Sequence, residues 1–69
     1  MSFDRRKIVR LLVRRGFRVL RDTGPNTVYA DDAGNQPSVP RHTKVERGTA
    51  RSIARQAGIE WTLFQQEVR

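Results

Sequence analysis

Apolar residues recur with two different periods along the chain, and the changes of period mark its elements. In "SFDRRKIVRLLVRRGF", Ile8, Leu11 and Leu12 fall at i, i+3 and i+4, and Val9 and Val13 widen the stripe. Arg5, Arg6, Arg10 and Arg14 take the other side. This spacing predicts an amphipathic helix with Ser2 or Asp4 as its cap and Gly16 as its stop. From Phe17 the period falls to two. "FRVLRD" puts Phe17 and Val19 on one face, with Arg18 and Leu20 towards the other. "TVYAD" separates Val28 and Ala30 from Thr27 and Tyr29 in the same way. Gly24, Pro25 and Asn26 form the tight turn between these two strands. "DDAGN" makes a second turn, where Gly34 or Asn35 suits a positive φ. "QPSVPRH" is a weak third strand. Pro37 and Pro40 cannot donate to a ladder, which predicts an edge position.

The helical period returns in "ERGTARSIARQAGI". Thr49 or Gly48 is its expected cap, Ala50, Ile53, Ala54 and Ala57 are its apolar stripe, and Gly58 ends it. "EWTLFQQEVR" predicts one more short helix, with Trp61 and Phe64 packing back at i, i+3. The expected fold is therefore α+β: helix, three-stranded antiparallel sheet, helix, short C-terminal helix, with the helices on one sheet face. No linker, repeat or low-complexity tract interrupts residues 1–69, so one domain is expected.

Composition narrows the partners. A chain of 69 residues has room for one modest core and buries about 60% of its unfolded surface. It has no cysteine, which excludes disulfides and thiolate metal sites. Its longest apolar stretch is far too short to span a bilayer, and it has no signal-peptide core, so a cytoplasmic location is expected. Fourteen Lys and Arg against seven Asp and Glu leave a formal charge of +7, and twelve of the fourteen cations are Arg. Arginine grips phosphate in two places where lysine offers a point charge. The balance points to nucleic acid or another polyanion. A membrane surface fits poorly, because the basic helix lacks a broad aromatic or leucine face.

Three constellations could carry chemistry. "ARSIARQAGIEWTLFQQEV" has Ala54, Gly58, Ile59 and Phe64 where a DNA-binding helix-turn-helix needs a small residue, a turn glycine and apolar residues. Its would-be recognition helix, within residues 50–67, opens with Glu60 and Trp61, and a carboxylate there repels phosphate. The second is a basic platform: Arg5, Arg6, Lys7, Arg10 and Arg14 on the first helix beside Arg18 and Arg21 on the strands. A-form RNA is bound mostly through phosphate and 2′-OH contacts, which suits spaced cations. A run of charge is also what any solvated helix face looks like. The third is His42, the only histidine. One imidazole makes no zinc site without other strong ligands, so neither a metal nor a cofactor is expected. Beside a proline-containing edge strand it is read as structural or accessory. No nucleophilic triad, Walker loop or dinucleotide-binding glycine loop is present.

Taken together, the segments "LLVRRGF", a Gly-x-x turn after the first strand, "VPRH" in the third strand and "GTARSIARQAG" at the second helix resemble the HicA family of bacterial toxins. The likeness runs from Arg10 through Ile59. It implies a fold like that of double-stranded-RNA-binding domains, with RNA bound near Gly24 and the Arg-rich faces. It also implies an mRNA-cleaving, metal-independent endoribonuclease silenced by a HicB-type antitoxin. In that family the turn usually carries a catalytic His, and the matching position here is Asn26. Without metal, RNA cleavage needs a base for the 2′-OH and an acid for the leaving 5′-oxygen, which imidazole supplies near neutral pH. Asn26 keeps the size and hydrogen bonding of that residue but cannot titrate. The resemblance therefore implies a site with its proton-transfer group replaced, by nature or by design. The bland reading of Asn26 is a plain turn residue in a non-catalytic RNA binder.

Overall fold

The computed structural model describes residues 2–22 and 24–69. Its elements are β1 (Ser2–Asp4), α1 (Arg5–Arg14), β2 (Arg18–Arg21), β3 (Asn26–Ala30), β4 (Ser38–Pro40), β5 (Lys44–Glu46), α2 (Arg47–Ala57) and α3 (Trp61–Glu67). The architecture is α+β: three helices, the last short, and an antiparallel sheet of order β2-β3-β4. This is the expected double-stranded-RNA-binding-domain-like arrangement. Pro37 precedes the edge strand β4 and Pro40 ends it, and the Pro37 carbonyl accepts the Tyr29 N–H at 2.9 Å.

A second, two-stranded sheet was not foreseen. β1 pairs antiparallel with β5, with Phe3 opposite Val45. Of the two expected caps for the first helix, Ser2 and Asp4, the structure uses Asp4, and Ser2–Asp4 is extended with Phe3 and Val45 both buried. Asp4 then caps α1, accepting the Arg6 N–H at 2.9 Å. At the other junction β5 runs directly into α2, so that helix starts at Arg47, ahead of the expected Gly48 or Thr49 cap. Glu46 holds the cap position without a side-chain bond.

The core gathers Ile8, Leu11 and Leu12 from α1, Tyr29 and Val39 from the sheet, Ala50, Ile53, Ala54 and Ala57 from α2, and Phe64 and Val68 at the C-terminal end. All four stripe residues expected on α2 are buried, and Gly58 ends the helix at φ 72°. Phe17 is buried, but its expected companion Val19 is 54% exposed. A register irregularity between Val19 and Arg21 breaks the alternation of β2. In β3 the buried pair is Thr27 and Tyr29, while Val28 and Ala30 are half-buried.

Candidate functional site

Position 26 is the first residue of β3 and not part of the turn proper. It pairs with Pro40 on β4, while Thr27 pairs with Val39 and Val28 with Ser38. Arg21, on β2, stands opposite Val28. The alternation of β3 puts Thr27 into the core and leaves Asn26 half-buried on the other face. There it lines a concavity of about 800 Å³ with Ser38, Pro40, His42, Lys44, Thr49, Ser52 and Gln56 among its walls. Pairing of β3 with β4 is what brings His42 to the same cavity. Its walls therefore combine two carboxamides, an imidazole, an ammonium group and three hydroxyls with the carboxylate of Glu46. Such a lining offers several hydrogen-bond donors to an anionic ligand.

The turn preceding Asn26 is tied down from β4. Arg41 Nε donates to the Gly24 carbonyl at 2.9 Å, its backbone N–H donates to the Pro25 carbonyl at 3.2 Å, and its guanidinium pairs with Asp22. Thr27 Oγ1 donates to the same carboxylate at 2.8 Å and accepts from Arg5 Nη2 at 3.2 Å. Arg5 Nε also donates to the Pro40 carbonyl at 2.7 Å. Gly24 turns the chain at φ 71°, in the left-handed region.

Arg5 therefore departs from the exposed basic face expected of α1. It is half-buried, and its fork is spent on neutral acceptors that join β3 to β4. Arg6 lies 3.5 Å from Asp4 and Arg18 lies 3.1 Å from Asp32, both at the surface. Lys7, Arg10, Arg14 and Arg21 are exposed and have no acidic partner among the described residues. Lys7 faces a different concavity of about 500 Å³, shared with Phe3, Lys44 and Arg69. Lys44 lines both this concavity and the pocket beside Asn26, while Arg10, Arg14 and Arg21 line neither.

Several wall residues escaped sequence reasoning. Thr49, Ser52 and Gln56 recur at i, i+3 and i+7 on one flank of α2, a polar stripe that the sequence does display. The Gln56 side chain also accepts the Ser38 N–H at 2.9 Å, closing the outer edge of β4. Lys44 and Arg41 left no such signal, because their placement follows from the pairing of β5 with β1 and from the path out of β4. The helix-turn-helix reading fares differently at its charged end. Glu60 caps α3, accepting the Leu63 N–H at 3.2 Å, Glu67 binds Arg15 at 2.7 Å, and α3 itself, Trp61–Glu67, contains no Lys or Arg to meet phosphate.

No helix among the described residues is long and apolar enough to cross a membrane. No curated protein matches the chain. Residues 5–59 match the family described as the HicA toxin of bacterial toxin-antitoxin. That span takes in α1, the whole three-stranded sheet, α2 and the pocket wall, so the chain belongs to the HicA family of toxins of bacterial toxin–antitoxin systems.

Proposed function

We propose that this protein is the RNA-directed toxin of a toxin–antitoxin pair, built as a metal-independent mRNA endoribonuclease and neutralised by a HicB-type antitoxin. The observation that carries the reading is the cavity at the start of β3, where Asn26, His42 and Lys44 share one wall system on a chain of net charge +7. Phosphate is drawn by Lys44 and by the uncompensated arginines, and the hydroxyls and carboxamides of the walls orient the strand. Strand cleavage then needs a proton acceptor at the 2′-OH and a donor at the 5′-oxygen. Asn26 can do neither. As it stands the protein binds RNA and cuts it feebly or not at all, a loss of about 10²–10⁴ in rate for a missing acid–base group. An acidic partner seated over this cavity blocks it by charge and by bulk.

The test is Asn26→His. Induced growth arrest and cleavage of purified mRNA should both appear, with affinity and stability hardly changed. A folded, RNA-binding Asn26→His protein that neither cleaves nor arrests growth would move the chain to a plain RNA-binding role. His42→Ala in the Asn26→His background asks whether the second imidazole positions substrate or shares the proton transfer.

A further inference from the structure

The arginines of α2 form a row that neither the pocket nor the basic face of α1 uses. Arg47, Arg51 and Arg55 stand at i, i+4 and i+8, all exposed, and repeat about every 6 Å along the axis. Thr49, Ser52 and Gln56, which line the pocket beside Asn26, occupy the opposite flank of the buried stripe.

Like charges four residues apart work against a helix. No ion pair relieves them among the described residues, although Glu46 lines a shallow concavity with Arg47 at the start of the row. Glu60 is used to cap α3 and Glu67 to bind Arg15. Instead Arg47 and Arg51 lie over the Trp61 ring, 6.0 and 5.8 Å from its centroid. Trp61 is in turn held by Phe64, stacked at 5.5 Å, and by Phe3, edge-on at 5.8 Å. Its Nε1 is buried without an acceptor, so packing alone orients the indole. An aromatic face attracts a guanidinium without neutralising it or using its N–H donors. The fold thus holds Arg47 and Arg51 against one ring, with Arg55 one turn further on, and leaves all three charged.

We propose that Arg47, Arg51 and Arg55 form a second docking surface for a sugar–phosphate chain, separate from the pocket beside Asn26, so that a long RNA is held on both flanks of α2. The proposal rests on the RNA reading above and adds a path for the strand beyond the cavity. RNA fits this surface better than a protein does. On α2 and α3 the one exposed large apolar side chain is Leu63, whereas protein interfaces centre on apolar and aromatic contacts. Arginine forks, by contrast, match pairs of phosphate oxygens.

Trp61 is the only tryptophan, so its fluorescence reports on the row itself. The full chain is titrated with a short and a long oligouridylate at several salt concentrations. The long RNA should change Trp61 emission, and R10Q/R14Q should weaken binding while keeping that change. R47Q/R51Q/R55Q, checked for fold by circular dichroism, should lower the log–log salt slope by about 2, at roughly 0.7 per lost phosphate contact. R47K/R51K/R55K should restore most of the slope. If wild type binds RNA and R47Q/R51Q/R55Q matches it in affinity and slope, the second surface does not exist and the RNA reading stands. If wild type shows no salt-dependent RNA binding, both fall. Loss of co-purification with a co-expressed HicB-type antitoxin alone, with RNA binding intact, would make the row a protein contact and overturn the proposal.

Discussion

Thr27 shows how one hydroxyl can hold a site it never touches. It is 3% exposed, accepts from Arg5 and donates to Asp22, which in turn pairs with Arg41. Thr27→Val keeps the β-branched shape and removes both hydrogen bonds, leaving the Arg5 Nη2 donor without its acceptor. The expected cost is about 1–2 kcal/mol, seen as a lower denaturant midpoint with an unchanged slope. A midpoint equal to wild type would mean that Arg5 finds water there at no cost. The surface pair of Arg41 with Asp22 contributes little by itself, as exposed ion pairs do. Its value is local, since Arg41 reaches both Gly24 and Pro25 and so limits where the chain enters β3.

At the scale of elements, short helices depend on their caps. α3 has seven residues, too few to persist alone, and its first turn is closed by Glu60. The backbone N–H groups of Thr62 and Leu63 hold the Glu60 carboxyl below its usual range, and those of α1 do the same for Asp4 through Arg6. Both groups titrate lower folded than unfolded. Their contribution is therefore complete above the ordinary carboxylate range and is lost as the pH falls through the lowered folded values. Thermal midpoints should drop on acidification below about pH 4, and Glu60→Gln should make that drop shallower by lowering the neutral-pH midpoint. An identical acid profile in the Gln variant would show that the cap carries none of it.

For the whole molecule the main constraint is size. Phe64 is completely buried, stacks on Trp61 and joins α3 to the common core. Phe64→Ala is expected to cost about 3–5 kcal/mol, a large share of the stability of any small domain. Circular dichroism should show a much lower or absent cooperative melt at room temperature. Retention of a wild-type transition would mean that α3 docks independently of the core. Charge works against compactness as well, because a net +7 on this chain repels itself. Polyanion binding should relieve that repulsion.

The sequence by itself determined the elements whose signal is local. The 3.6-residue stripe of α1, the four buried stripe residues of α2, the glycine that stops that helix and the proline-marked edge of β4 are all written in spacing and turn chemistry. The family was legible too, through motifs that keep their order from Arg10 to Ile59, inside the matched span of residues 5–59. Tertiary structure decided whatever depends on distant partners. Ser2–Asp4 is a strand only because Lys44–Glu46 lies beside it, some forty residues on. Arg5 turns inward only because Thr27 and the Pro40 carbonyl wait there. Asn26 shares a cavity with His42, Lys44 and the polar flank of α2 only once β3 has paired with β4 and α2 has packed beside them. The reason is physical: periodicity reports which side of an element is dry, but not which other element makes it so.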